Sequence, residues 1–307
     1  MPRVAVITPN WNGGDLAVES ARSVMKQALA TKLFLVDNGS RDGSGRAIAA
    51  ALPGVELVEN AENLGFAAAV NQGLRLAQGF EYTLLLNNDV VFQSERDLIE
   101  PLEYLERNES AQGVCGRYEY PDGRFQRFYN QLPTPFDLAA YWGFGRHLPG
   151  ALQSASLRRF LCVDVDFTKE VELEQPAFTC IVCRTSALRA VGELDEQFPI
   201  FFNDVDYCWR WRASGRTFRY LPDWRIVHHQ SASTSKLGGK LYSEMAGSVA
   251  RFAMKHYSRR DAALVRASLV AEATFRRLRH NDFDSPIAGV WRGDLVFIKE
   301  QTKAGQL

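Results

Sequence analysis

The sequence lacks the marks of several protein classes. Cysteine is sparse: five residues scattered through 307. An odd, dispersed count argues against a disulfide framework and fits reduced thiols in the cytoplasm. No apolar run reaches about 18 residues, so no membrane-spanning helix is expected. The opening MPRVAVITPN already reads as a strand. It has neither the charged leader nor the long apolar stretch of a secretory signal. Neither sign of charge is in excess, with 36 Lys and Arg against 36 Asp and Glu. Bulk charge therefore favours no polyanionic partner, and no nucleic-acid motif is present. No G-x-G-x-x-G follows the first strand, and G-x-x-x-x-G-K-[ST] is missing throughout, which argues against dinucleotide oxidoreductases and P-loop enzymes. There is no internal repeat and no low-complexity tract.

What remains is an ordinary globular composition, 46% hydrophobic and 23% charged, long enough to bury a full core. The first 110 or so residues alternate strand and helix patterns, the signature of a parallel α/β sheet. RVAVITP, KLFLVDNGS, VELVEN and YTLLLNNDV read as strands. DLAVESARSVMKQA reads as a helix capped by Asp15, and AAAVNQGLRLAQG as one capped by Asn63 and stopped at Gly79. The stretch 111–178 is less regular. FTCIVCR returns as a strand, which puts Cys180 and Cys183 on opposite faces, unable to chelate one metal. PIFFNDVDYCWRWRASG feeds a helix ending at Gly215, TFRYLPDWRIVHHQ holds two short β patterns, and the chain is helical from about Lys240.

In an open parallel sheet, ligands bind beyond the carboxyl ends of the strands. Polar clusters sit at such ends: Asn10-Trp11-Asn12, Asp37-Asn38 and Asn87-Asn88-Asp89. Asn and Asp also favour plain turns. A short acidic cluster at a sheet rim equally suits a hard cation such as Mg²⁺ or Mn²⁺, which takes oxygen ligands and bridges phosphate oxygens. Asp164 and Asp166 in DVD mimic such a cluster, but sit in the irregular region and read as a solvated segment.

Six pieces in order, ITPNWNGG, LVDNGSRDGS, ENLGFAAAVNQGL, LLLNNDVVF, VGELDEQFPIFFNDVDYCWR and HHQSAST, resemble the family 2 glycosyltransferases and, within them, the bacterial rhamnosyltransferase-like branch. The resemblance implies a GT-A fold: a Rossmann-like, mostly parallel half for a nucleotide sugar (residues 1–110), an acceptor-binding and catalytic half (111–238), and a helical C-terminal extension (239–307). It implies that Pro9, Trp11 and Asp37 bind the nucleobase, that Asn63 and Gly65 face phosphate or ribose, and that Asn87 and Asn88 line the nucleotide site. Asp89 becomes a metal ligand, with His228, spaced to Ser233, as a second. Asn87 stands at the first Asp of the family's Asp-x-Asp metal motif, which in this branch is often Asn-x-Asp, so the site carries one less negative charge. The general base of an inverting transfer maps to Asp204, with Asp206 as the alternative. Both residues also suit the start of a helix. Asn203 replaces a family acid. Asp195 and Glu196, with the 115–178 region, map to the acceptor side, where Tyr141, Trp142 and Phe144 can stack on a sugar or pack in the core. The implied partners are a nucleoside diphosphate sugar and a glycan or polyprenyl-linked glycan. A binding protein with little or no turnover is the alternative that Asn87 and Asn203 raise.

Between Arg251 and His280 the only acids are Asp261 and Glu272, and Leu264, Ala271, Phe275 and Leu278 fall near one helical face. A basic amphipathic helix of this kind either lies on an anionic membrane or packs on its own domain with a solvated basic face.

Overall fold

The computed structural model describes residues 3–230 and 238–279. The chain opens as three β-α units and a fourth strand. Strand β1 (Val4–Asn10) leads to helix α1 (Gly14–Met25), β2 (Thr31–Asp37) to α2 (Ser44–Ala51), and β3 (Glu56–Glu59) to α3 (Phe66–Leu76), before β4 (Tyr82–Leu86). These strands pair in parallel in the order β3-β2-β1-β4. Val4, Ala5, Val6, Ile7, Leu33 and Leu84 are fully buried, as expected for strands covered on both faces.

Beyond β4 the sheet becomes mixed. The short β5 (Val90–Val91) and helix α4 (Ile99–Arg107) precede β6 (Gly113–Glu119), and β7 (Tyr129–Asn130) follows. Helices α5 (Pro135–Tyr141) and α6 (Ala155–Phe160) lead to β8 (Val171–Leu173), β9 (Gln175–Pro176) and β10 (Cys180–Arg184). The chain continues through α7 (Thr185–Val191) and α8 (Asn203–Ala213) to β11 (Phe218–His228), then α9 (Gly238–His256) and α10 (Arg259–Arg279). Strand β10 runs antiparallel between β4 and β6, β11 runs parallel to β6, and β5 closes on the end of β11; β7 and β9 form a separate ribbon.

Local sequence readings meet a few corrections. The N-cap of α1 is Gly13, not Asp15. A Cβ at Gly13 would come within 2.4 Å of Asn88 Nδ2, so only glycine lets the helix start that close to the rim. Asn63 does not cap α3 directly: its Oδ1 accepts from Gly65 N at 2.9 Å, and Gly65 is the cap. Asp204 is not a cap either, because α8 already begins at Asn203. The two β patterns at 217–230 are one strand, with its pairing shifted between Leu221 and Arg225. Pro222, without an N–H, sits inside that shift.

Helices α9 and α10 build a second core with Leu138, Phe198 and Phe202. The inward stripe of α10 is Ala262, Val265, Leu269 and Ala273. The stripe expected from sequence is rotated from it: Leu264 and Leu278 are 67% and 80% exposed, and Phe275 rests on Phe144 and His147. No helix among the described residues is long and apolar enough to cross a membrane. All five thiols are free and buried, and burial pushes those of Cys115, Cys180, Cys183 and Cys208 up and that of Cys162 to about 11. Such thiols are inert structural groups.

Candidate active site

Strand register assembles the rim. Asn10 pairs with Asp37 at the ends of β1 and β2, and Ile7 pairs with Leu85, so Asn87-Asn88-Asp89 emerges beside Asn10. Asn10 ties the three ends together. Its Nδ2 donates to Asp37 Oδ1 (2.8 Å) and Ser44 Oγ (2.9 Å), and its Oδ1 accepts from Asn88 Nδ2 (2.8 Å). Asn38 does the same for the next loop, donating to Asn63 Oδ1 (2.8 Å) and Gly65 O (3.0 Å) and accepting from Leu64 N (3.0 Å).

A second register brings His228 to Asp89. Strand β5 follows Asp89 at once and pairs Val90 with His228. The His229 amide then donates to Asp89 O at 2.9 Å, and His228 Nε2 lies 3.3 Å from Asp89 Oδ1. Asn87 Oδ1 is buried nearby with no hydrogen-bond partner among the described residues.

Across from them stands the start of α8. Phe202 takes the left-handed conformation (φ 65°) to turn the chain into the helix. Asp204 Oδ2 accepts from Gln175 Nε2 at 3.2 Å, and its Oδ1 from Val205 N at 2.8 Å. Burial pushes the Asp204 carboxyl up to about 6, against the two backbone hydrogen bonds that pull the other way. A carboxylate in that range is poised to take a proton near neutral pH.

One cavity of about 860 Å³ joins the two sides. Pro9, Trp11, Asn63 and Gly65 line it from the sheet rim, Asn87, Asn88 and Asp89 from β4, His228 from β11, and Asp204 from α8. Its size lies in the range of small-molecule sites.

A model of glycosyl transferase family 2 matches residues 5–166, just over half of the chain. The chain belongs to glycosyl transferase family 2. An N-acetylglucosaminyl-diphospho-decaprenol L-rhamnosyltransferase of Mycobacterium tuberculosis (strain ATCC 25618 / H37Rv) is 24% identical over 233 residues, covering 70% of this chain and 73% of its own. A pre-mycofactocin glycosyltransferase of the same organism is 38% identical over 77 residues, 25% of this chain and 16% of its own. Among solved structures, a mannosyltransferase from Pyrobaculum calidifontis in complex with GDP-Man and Mn²⁺ superposes with a TM-score of 0.55 at 16% identity, over 95% of this chain and 79% of that one. S. aureus TarS 1-349 in complex with UDP-GlcNAc gives 0.55 at 13% identity, over 95% and 78%. At those identities the likeness speaks for the fold, which is GT-A.

In this glycosyltransferase four of the residues expected at the site do not line the cavity. Asp37 is buried behind it, holding Asn10 and accepting from the Ser40 amide at 3.3 Å. Asp195 pairs with Lys255 at 2.6 Å. Glu196 accepts from Asn71 Nδ2 at 3.0 Å, which docks its segment on α3. Asp206 is fully buried against Lys255 (2.6 Å), His256 (2.7 Å) and Arg210 (3.1 Å). Burial alone would raise the Asp206 carboxyl; the bonds from His256 and Lys255 outweigh it and hold the group below the usual range. Asp206 is therefore a docking residue and not an alternative base. Phe144 likewise packs on α10, whereas Tyr141 and Trp142 do line the cavity. Asp164 and Asp166 are exposed, beside Arg158 and Lys169. Ser233 lies outside the described residues.

Other cavity residues carry no sequence signature. Gln175, Arg127 and Phe128 come from the irregular middle region, where no periodicity marks a face. Asn10 and Asn38 were on the expected rim, but their part in tying the loops together rests on pairings across 25 or more residues.

The donor set bears on metal. Among the described residues no three His, Cys, Asp or Glu side chains gather on one point. Asp89 and His228 present one carboxylate and one imidazole, the residues that would hold a divalent ion such as Mn²⁺ here.

Proposed function

We propose that this glycosyltransferase is an inverting enzyme of bacterial cell-surface polysaccharide assembly. It moves a sugar from a nucleoside diphosphate to an acceptor hydroxyl, with rhamnose from dTDP-rhamnose as first candidate. The observation that carries the reading is that Asp204, raised to about 6, lines the same cavity as Asp89 and His228. The rhamnosyltransferase named above supports the choice of sugar, and its decaprenol-linked substrate supports a polyprenyl-linked glycan as acceptor.

Residues 1–110 hold the donor in this reading. The Trp11 indole stacks on the base, and Pro9 shapes the same wall. Asp37 acts through Asn10 and the Ser40 loop. The amides of Asn63, Asn87 and Asn88 and the Gly65 backbone meet ribose and diphosphate. Mg²⁺ or Mn²⁺, bound at Asp89 and His228, supplies charge compensation for the departing diphosphate. Asp204 accepts the proton of the attacking hydroxyl as its oxygen bonds to the anomeric carbon. The bond from that carbon to phosphate breaks, and its electrons leave on the nucleoside diphosphate. A single displacement inverts the centre, and general-base help of this kind is worth about 10²–10⁴-fold.

Residues 111–238 hold the acceptor, with Tyr141 and Trp142 as sugar-facing rings. We place the enzyme in the cytoplasm, touching the inner membrane face through exposed Leu264 and Leu278 among the arginines of α10.

A thermal-shift series with dTDP, UDP, GDP and their sugars, with and without Mn²⁺, tests the donor. The expected result is Mn²⁺-dependent stabilisation, strongest with thymidine. Product stereochemistry then tests inversion. Asn87 and Asn203 favour a second reading, a binding protein without turnover; tight donor binding with no transfer or donor hydrolysis would select it.

A further inference from the structure

Gln126 is buried and makes two hydrogen bonds to one residue. Its Nε2 donates to the backbone O of His228 at 2.6 Å, and its Oε1 lies 2.8 Å from His228 Nδ1. The first bond fixes the amide orientation, because a carbonyl can only accept. The second then has one solution: Oε1 accepts, so Nδ1 carries the hydrogen. In a neutral ring, Nε2 is left as a bare lone pair. That lone pair faces Asp89 Oδ1 at 3.3 Å.

The chain builds this clamp deliberately. Beyond β6 the sequence Tyr120-Pro121-Asp122-Gly123 makes a tight turn, with Gly123 at φ 81° and its amide bonded to Tyr120 O at 2.8 Å. The return limb bonds Gln126 N to Tyr118 O at 2.8 Å. Since β6 runs parallel to β11 up to Val227, the limb stands over His228. Phe128 and Tyr118 wall the ring at 5.4 and 6.3 Å between centroids.

We propose that Gln126 is a positioning residue that holds His228 as the Nδ1–H tautomer, presenting Nε2 beside Asp89 as the second ligand of a divalent cation. The inference rests on the metal reading given under Proposed function. Partners of this outer kind orient an imidazole and typically change metal affinity by about 10–100-fold.

The tautomer is measured on the full chain without metal, by two-bond ¹H–¹⁵N correlation of ¹⁵N-histidine protein at pH 8.5, with His228→Ala to assign the signal. Mn²⁺ alone is titrated in parallel by electron paramagnetic resonance. The native ring is expected to show a protonated Nδ1 and a bare Nε2. Gln126→Leu is expected to lose that pattern and weaken Mn²⁺ by about 10–100-fold. Gln126→Glu, which keeps an acceptor at Nδ1, is expected to retain the tautomer and recover affinity. An Nε2–H ring, or one doubly protonated at pH 8.5, overturns the clamp and leaves the metal reading to Asp89. A Gln126-dependent Nδ1–H ring combined with native Mn²⁺ affinity in His228→Ala overturns the ligand role of His228 and leaves the metal reading to Asp89.

Discussion

Asp204 and Asp206 stand two residues apart on α8 and face opposite ways: the first lines the cavity, and the second is fully buried beneath α9. Two steps along an α-helix turn about 200°, so one short acidic motif reaches both the cavity and the buried face against α9. Asp204→Asn removes the proton acceptor, and transfer is expected to fall about 10²–10⁴-fold with donor binding retained. In the native enzyme kcat/KM is expected to fall as pH drops below about 6, where Asp204 takes a proton. Stability moves the other way. A carboxyl raised from 3.8 to about 6 by burial favours the fold while protonated, and that contribution is lost as pH rises between those values. Asp204→Asn is therefore expected to be more stable than the native enzyme at pH 8, by up to about 3 kcal/mol. The gap closes below pH 4, and urea titrations at pH 4 and 8 measure it.

Asp206→Asn tests the other face. It leaves Lys255, His256 and Arg210 around a neutral side chain in a buried setting. Breaking one partner of such a cluster costs about 3–5 kcal/mol. The midpoint in urea is expected to fall accordingly at pH 7. The difference shrinks as pH falls through the lowered Asp206 range, where the native carboxylate also loses its charge. Activity per folded molecule is expected to change far less than in Asp204→Asn. Equal loss in both variants would return Asp206 to the list of candidate bases.

The parallel half was legible because its strands are short apolar runs ending in Asn and Asp, and its helices keep a clear period. That is why the Asn10, Asp37 and Asn87 loops could be placed on one rim before any coordinates. Pairings across long separations were not legible. Nothing local to Gln126 announces His228, 102 residues away, and Asp37 looks no different in sequence whether its carboxylate meets a ligand or Asn10. The apolar stripe of α10 was misread for a related reason: Leu264 and Leu278 are larger than Ala262 and Ala273, but the close approach of α9 and α5 favours the small residues.

Gly65 packs the loop before α3 against Pro199, on the segment leading to α8. Its backbone, φ 91° and ψ 163°, is in a region that only glycine occupies easily. A Cβ there would sit 2.7 Å from Pro199 Cβ and 2.9 Å from Pro199 O, on the segment leading to α8. Gly65→Ala is expected to cost at least about 1–3 kcal/mol from backbone strain and to raise KM for the donor as the loop shifts. Calorimetry and initial rates check both. A variant with native melting and native KM would detach this glycine from the site.

Metal removal is the sharpest test of the rim. Asp89 brings the carboxylate and His228 the imidazole, and Asn87 adds only a neutral oxygen. With two protein donors, an ion at this site would depend on the diphosphate for its remaining ligands, so binding of metal and of donor are expected to be strongly linked. EDTA is expected to abolish transfer reversibly, and Mn²⁺ to restore it. In the presence of a nucleoside diphosphate, Mn²⁺ raises the melting temperature of the native enzyme. Asp89→Asn is expected to abolish that increment, because the amide has no charge to offer a hard cation. His228→Ala is expected to diminish it while leaving Mg²⁺-supported activity less affected, since imidazole is the better ligand for Mn²⁺. Native transfer rates in EDTA would mean that the protein alone stabilises the leaving diphosphate. Arg127, the Lys or Arg side chain that lines the cavity among the described residues, would then be the first residue to replace.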